Sequence, residues 1–306
     1  MRATLAALLL LVACGGKDIG LGDPDAGGSG GDGGGSGDGG VPAGWTKLVS
    51  RTWSLGVNAE GYRCRRIQVQ DDMWISAFRA MSPTGTHHEV VTIDPSGTST
   101  GDYNCNAGTG AFNSQMVYAA GVMTDDLAFP TGVAVHIPAG TWINLNLHLF
   151  NLKDTPAADE SGILVKTIPA AEVVNPADMT FAGTYSISIP SDNQPHTAIG
   201  GCTAPTDWHV FTLWPHMHQT ATHQALTVTH AGAPSTLLDT AYQFGEQKNY
   251  PMAETIVHQG DQVQVTCTYV NNTGATITFG DSSTSEMCFT GMYKYPAGGG
   301  EFGCVH

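Results

Sequence analysis

Two histidines and a methionine are the residues of this chain best suited to binding a metal. In a β-strand successive side chains point to opposite faces, so His216 and His218 of the segment WPHMH would share one face and Met217 would lie on the other. Two imidazoles on one face can begin a metal site. The thioether of Met287 as a third ligand would favour copper, especially Cu(I), over zinc or magnesium. The alternative is a pair of polar histidines on an exposed strand.

A second set of histidines lies earlier in the chain. His87 and His88 are adjacent in THHEVVTID, and neighbours in a regular strand face opposite ways. Both can reach one metal only at a strand end, a turn or a bulge, and the preceding SPTGT is such a turn. In NLNLHLFN, His148 shares one strand face with Asn144 and Asn146. That polar face is either exposed to solvent or lines a site.

The segments that must position these residues are short runs rich in Val, Ile, Thr and aromatic residues, separated by Gly, Pro, Asn and Asp. Many alternate strictly, which predicts an all-β sandwich rather than βαβ units. The predicted strands are residues 65–70, 73–81, 88–93, 142–151, 162–168, 185–189, 225–230, 261–270 and 275–280. The segment 167–183 carries two prolines and is the candidate junction between two domains, 45–175 and 176–306.

The first fourteen residues predict export. Arg2 is followed by an apolar run that ends in Leu11–Cys14, which is typical of a signal peptide and too short to span a bilayer as a mature helix. Small residues before a cysteine resemble the bacterial lipobox, in which Cys14 would become lipid-modified and anchor the protein to the membrane. The alternative is an ordinary secretory signal with a chance cysteine. Gly15 and Gly16, with no Asp beside the cysteine, favour the outer membrane.

Residues 15–44 form a Gly-, Asp- and Ser-rich tract that cannot bury enough apolar surface to fold, so we expect a flexible tether. The net charge of −15 with only 12 Lys plus Arg argues against nucleic acid or an anionic membrane surface as a partner. The lipid anchor would be the only membrane attachment.

Six cysteines remain once Cys14 is set aside. In an exported protein an even number predicts three disulfides, for which fifteen connectivities are possible. Two fall early and four late, which suggests two halves that are crosslinked separately. The six are Cys64, Cys105, Cys202, Cys267, Cys288 and Cys304.

The order of the candidate ligands is His-His, then a lone His on a strand, then His-x-His, then Met beside Cys. This order resembles the copper type II, ascorbate-dependent monooxygenases, a family that includes peptidylglycine α-hydroxylating monooxygenase and dopamine β-monooxygenase. The resemblance covers residues 45–306 and depends on motifs in both halves. It implies two tandem antiparallel jelly-roll β-sandwich domains, in agreement with the all-β prediction. The disulfides that it implies are Cys64–Cys105, Cys202–Cys304 and Cys267–Cys288.

The resemblance also implies the chemistry. One copper ion would be bound by His87, His88 and His148, and a second, where O2 reacts with a C–H bond of the substrate, by His216, His218 and Met287. Ascorbate or another small reductant would supply both electrons, one of them through the all-histidine site across a solvent-filled cleft. Imidazole suits both Cu(I) and Cu(II), and the thioether favours the reduced state.

Two other functions remain possible on the sequence. A non-catalytic copper-binding lipoprotein would keep both sites for storage, sensing or adhesion. A zinc-dependent β-sandwich such as a cupin would also use an HxH motif. However, no cupin-like acidic residue pattern follows His218, and Met287 would then have no role.

Substrate recognition departs from the peptidylglycine enzymes. These enzymes hold the peptide carboxylate with an Arg two residues before the HxH motif and a Tyr four residues after the Met, places that are Trp214 and Gly291 here. Tyr293 is nearby, but a shift of two residues would put it elsewhere. Loss of the guanidinium removes the carboxylate clamp.

We therefore predict that peptidylglycine is not the substrate, and that the substrate is another small organic molecule or peptide. Turnover of glycine-extended peptides, followed by product formation with copper and ascorbate, should be negligible. A kcat on the order of 1 s⁻¹ or above would contradict this prediction.

Overall fold

The computed structural model describes residues 40–94, 99–105, 114–121 and 124–306 of the 306-residue chain. The predicted signal peptide, Cys14 and most of the predicted tether lie outside these residues. Residues 40–306 form one compact unit. Nowhere in the described ranges is there a helix of the length and apolar character needed to cross a membrane.

The described residues are built almost entirely from β-strands, which confirms the predicted all-β class. A single turn of 3-10 helix, Ala170–Glu172, is the only helical segment among these residues. The first half contains β1 Thr46–Leu55, β2 Ala59–Gln68, β3 Met73–Met81, β4 Thr86–Asp94, β5 Gly101–Tyr103, β6 Gln115–Gly121, β7 Leu127–Ala128, β8 Val133–Ile137, β9 Trp142–Asn151 and β10 Ala157–Thr167. The second half contains β11 Asn175–Thr184, β12 Ser188–Ile189, β13 Pro195–Thr203, β14 Trp208–His216, β15 Ala221–His230, β16 Ala233–Ala241, β17 Tyr250–Val257, β18 Gln262–Val270, β19 Ile277–Thr278, β20 Cys288–Tyr295 and β21 Cys304–Val305.

One ten-stranded sheet runs through both halves in the order β1-β10-β3-β8-β11-β20-β14-β17, with β7 and β21 paired beside it. In the first half a five-stranded sheet, β5-β2-β9-β4-β6, forms the other layer, and in the second half a four-stranded sheet, β13-β18-β15-β16, does so. A small sheet of β12 and β19 completes the second half. Nearly all pairs are antiparallel, as expected for sandwiches built from strands that alternate apolar and polar residues.

Alternation identified the strands well where one face is polar. The bounds of β3 and β9 coincide with the predicted residues 73–81 and 142–151. Strands such as β6 and β8, which the sequence did not predict, are buried along most of their length and have no alternating pattern. The predicted strand 185–189 is ordered as a strand only over β12, its last two residues.

The two halves are in direct contact. β8 and β11 pair in parallel, and Phe129 of the first half packs edge-on against Phe211 of the second at 5.1 Å between ring centroids. The hydroxyl of Tyr293 donates to the carbonyl of Val117 at 3.1 Å. Tyr293 is therefore part of the packing between the halves, away from the candidate ligands. The predicted boundary between residues 175 and 176 falls at the start of β11 and stays a prediction.

Each disulfide closes within one half of the chain. Cys64 of β2 is bonded to Cys105, Cys202 of β13 to Cys304 of β21, and Cys267 of β18 to Cys288 of β20. These are the pairs that the family resemblance implies. The last bond joins the two sheet layers of the second half immediately after Met287, so it restricts where that residue's backbone can lie.

Candidate metal centres

The first three histidines converge at the junction of β4 and β9. His88 and His148 are direct cross-strand partners, and the ladder shifts register between Thr86 and His88. His87 is therefore the extra residue of a β-bulge, which turns it to the same side as His88. One ring nitrogen from each of His87, His88 and His148 lies within 4.8 Å of the others.

The ring nitrogens of this set are oriented as metal ligands would be. The Nδ1 atoms of His87 and His88 are 3.1 Å apart, a separation suited to two nitrogens that each lie about 2.0 Å from one ion. His148 donates from Nε2 to Glu60 Oε1 at 2.7 Å, which assigns the lone pair to Nδ1. That Nδ1 is buried and has no hydrogen-bond partner among the described residues. An unpaired acceptor beside two further imidazoles fits a bound cation.

Aromatic rings pack against His148, the fully buried ring of this set. Tyr62, the partner of His148 across β2, stacks on the His148 ring at 4.3 Å, and Phe150 packs against it at 4.6 Å. Burial lowers the pKa of His87 to about 4 and holds the pKa of His88 well below its usual value. The pKa of His148 is also lowered by burial, and Glu60 partly opposes the shift. All three rings are therefore neutral at pH 7, the form that binds metals.

The second pair of histidines lies at the end of β14. A strand that ran through His218 would be two residues too long, because β14 ends at His216. Beyond His216, a side chain rather than a neighbouring strand pairs with the backbone. Tyr242 Oη accepts from the Met217 amide at 3.1 Å and donates to the Met217 carbonyl at 2.6 Å. Met217 is buried in the core of the second half, whereas His216 and His218 both line a cavity. The two imidazoles thus share a face as predicted.

Hydrogen bonds assign the tautomers of both rings. The Gln247 amide nitrogen donates to the Phe244 carbonyl at 3.3 Å, so its Oε1 faces His216 and accepts from Nδ1 at 3.1 Å. The Nδ1 of His218 donates to the Ser285 carbonyl at 3.0 Å. Each ring therefore carries its lone pair on Nε2. Burial lowers the pKa of His216 to about 3 and also lowers the pKa of His218, so both rings are neutral.

Met287 is held beside this pair. His216 and Phe289 are the last pair of the β14–β20 ladder, and His218 and Met287 each lie two residues beyond it. The Met287 carbonyl accepts from Tyr269 Oη at 2.7 Å, and its side chain lines the same cavity as His216 and His218. The structure therefore brings all three predicted residues of this set together.

Glu286 connects the strand of Met287 to the turn after His218. It is fully buried and accepts from the His218 amide at 2.8 Å and from the Thr220 amide at 2.7 Å. The Thr220 hydroxyl donates to the same carboxylate at 2.8 Å. The positions of His218 and Met287 are thus coupled through one carboxylate.

A single cavity of about 260 Å³ touches both sets. His88 lines it from the first half, and His216, His218 and Met287 line it from the second. Phe244 lies between the sets, with its ring centroid 4.7 Å from that of His87 and 6.2 Å from that of His218. An aromatic side chain therefore occupies part of the space where the sequence predicts a cleft.

Sequence reasoning missed the residues that orient the ligands, namely Glu60, Tyr62, Phe244, Gln247 and Glu286. Only Glu286, next to Met287, carried a signal by position. The others are brought in by strand pairing and by the loop between β16 and β17, which no spacing rule predicts.

Removal of the Glu60 carboxylate should weaken metal binding at the first set. We expect Glu60→Ala to reduce copper affinity there by about 10- to 100-fold, because His148 loses the partner that fixes its tautomer, and Glu60→Gln to restore part of it. Competition titration with a copper chelator measures both. Glu254→Ala is the matched control, since its carboxylate accepts from His209 at the same 2.7 Å on the outer surface. Equal affinities for Glu60→Ala and this control would contradict the assignment.

The comparisons agree with this geometry in the second half. Residues 176–303 match the family described as copper type II ascorbate-dependent monooxygenase, C-terminal domain. No curated protein matches the chain. Among solved structures, it is similar to infectious bursal disease virus, Gx strain (11% identity, 86% of this chain and 75% of that chain, TM-score 0.20). It is also similar to the VP2 subviral particle of infectious bursal disease virus (11% identity, 83% and 72%, TM-score 0.17). TM-scores this low do not show a shared fold.

The matched residues include His216, His218 and Met287, together with the disulfide that follows the methionine. Copper and ascorbate dependence are properties of that family. The ligand types had indicated copper, and the resemblance implied ascorbate. Residues 176–303 are therefore similar to the C-terminal domain of the copper type II ascorbate-dependent monooxygenases.

Proposed function

We propose that the protein is a dicopper monooxygenase that hydroxylates an unactivated C–H bond of a small organic substrate, with O2 and ascorbate or another small reductant. The observation that carries this proposal is the shared cavity. One cavity is lined by His88 of one neutral histidine set and by His216, His218 and Met287 of the other. A pure storage site would not need an apolar chamber beside its ligands.

In this proposal His87, His88 and His148 hold one copper ion. Their three imidazoles suit an ion that changes between Cu(I) and Cu(II) without a change of ligands. Glu60 keeps the proton of His148 on Nε2 and so presents Nδ1 to the ion. Tyr62 and Phe150 limit access of water to the ring.

His216, His218 and Met287 hold the other ion, next to the substrate. Gln247 and Ser285 keep the protons on Nδ1, so that both Nε2 atoms are presented. Three protein ligands leave a position open for a reactant. With copper bound, one oxygen atom of O2 enters the C–H bond, and two electrons from the reductant with two protons convert the other to water.

Loss of one ligand from each set should show that the two copper ions bind at different sites. We expect the copper-loaded full chain to hold two coppers, Met287→Ala to weaken one and His148→Ala the other, and both variants to lose ascorbate-dependent O2 uptake coupled to product. Metal analysis after dialysis and an oxygen electrode measure these quantities. His223→Ala is the control, because His223 pairs with Asp239 on the surface at 2.8 Å.

One copper or none in the parent, unchanged by either substitution, would show that the ligands are wrongly assigned. Two coppers without O2 uptake under any reductant would favour the non-catalytic copper-binding lipoprotein.

We also propose that the protein is exported and held on a bacterial membrane, namely the outer membrane, by lipid on Cys14. The signal-like residues 1–14 support this. In a bacterial host, Cys14→Ser should move the protein from the membrane to the soluble fraction, whereas Gly16→Ser should not. Membrane retention of Cys14→Ser would contradict a lipid anchor.

A further inference from the structure

Aromatic rings form a continuous wall from the surface to His216. Tyr185 and Phe302 are 43% and 44% exposed and mark the outer end. Phe181 stacks on Phe302 at 5.3 Å between centroids and reaches Trp214 at 6.2 Å. Trp214 in turn stacks on His216 at 4.8 Å with the planes 15° apart. A flat apolar molecule could therefore lie against rings along the whole path to the second histidine pair.

The wall offers no positive side chain. Among the described residues that line the cavity, none is Lys or Arg, and the one carboxylate, Asp281, is exposed. A carboxylate entering the cavity would lose its hydration without a protein cation to replace it. The lining therefore favours an uncharged ligand.

Trp214 also carries an unused hydrogen-bond donor. The residue is 2% exposed, and its Nε1–H has no partner in the described part of the chain. A buried donor without an acceptor is unfavourable, and buried indole N–H groups usually find one. The ring of Trp214 lines the cavity but its Nε1 is covered, so a ligand oxygen in the cavity supplies the missing acceptor when the ring turns toward it.

We propose that the cavity binds an uncharged aromatic molecule that bears one neutral acceptor oxygen, such as a ketone, ester or ether, and that this oxygen accepts a hydrogen bond from Trp214 Nε1. The inference rests on the proposed function in one respect, since it makes this molecule the substrate. Stacking along Phe181 and Phe302 holds the ring, and the donor selects the oxygen. Trp214 is thus a specificity-determining residue where an arginine would select carboxylates.

Three probes with the same number of heavy atoms test the proposal: acetophenone, α-methylstyrene, which has CH2 in place of the oxygen, and benzoate. Calorimetric titration of the full chain in its Cu(I) form under argon avoids turnover. We expect acetophenone to bind about three- to tenfold more tightly than α-methylstyrene, the range of one neutral hydrogen bond, and benzoate to bind most weakly.

Trp214→Phe keeps a stacked ring but removes the donor, so it should abolish the preference for acetophenone over α-methylstyrene. Trp208→Phe should leave this preference unchanged. Trp208 is a buried tryptophan of the same strand and lies in the core of the second half, away from the cavity. In the parent, one indole N–H resonance among those of the six tryptophans should shift with acetophenone and not with α-methylstyrene, a readout that requires no variant to fold.

Equal affinities for the two neutral probes, benzoate binding as tightly as acetophenone, a preference that survives in Trp214→Phe, or no binding of any probe would each overturn the proposal. The same titrations on the copper-free chain separate it from the proposed function. A Trp214-dependent preference there stands even if the protein fails to take up copper or O2.

Discussion

The contact of Gln247 with Gly121 and His216 is the interaction on which the relation between the two histidine sets depends. The Gln247 carbonyl accepts from the Gly121 amide at 2.8 Å, and its side-chain oxygen accepts from His216 at 3.1 Å. Gly121 pairs with His88 across β4 and β6. One buried glutamine thus connects the strand next to the first set with a ring of the second. A Cβ atom at position 121 would lie 2.9 Å from the Gln247 backbone nitrogen, so glycine permits this approach.

Burial keeps the candidate imidazoles neutral, and it also makes their unpaired nitrogens unfavourable for the stability of the fold. The five candidate imidazoles have lowered pKa values because they are desolvated, so each is neutral and offers a lone pair. Without a cation, these nitrogens are polar groups with incomplete partners inside aromatic surroundings, which is unfavourable for the fold. Metal binding would remove that cost, so occupation of the sites and stability of the fold are linked. The disulfide at Cys288 and the buried Glu286 partly offset this unfavourable free energy, since both restrict the backbone beside Met287.

The positions where the family resemblance implies groups for a substrate carboxylate have other roles in this chain. Trp214 is part of an aromatic wall and pairs through its backbone with Gly291, which has no side chain to offer. Tyr293 has its hydroxyl on Val117 and is buried between the two halves. The candidate ligands and the aromatic wall are therefore separable: β14 carries the candidate ligand His216 at its end and Trp214 two residues before it.

The sequence by itself determined the all-β class, the strands with a polar face, and the residue types and order that indicated copper. These follow from short-range rules, since alternation and the i, i+2 relation of His216 and His218 act within one strand. Only the tertiary structure decided which residues orient the ligands. Glu60 lies 88 positions from His148, and Gln247 lies 31 from His216. Spacing along a chain carries no information about which strands become neighbours or where a loop docks. The bulge at His87 depends on both the sequence and the tertiary structure. The sequence required an irregularity there if His87 and His88 are to reach one metal, and the pairing of β4 with β9 supplied it.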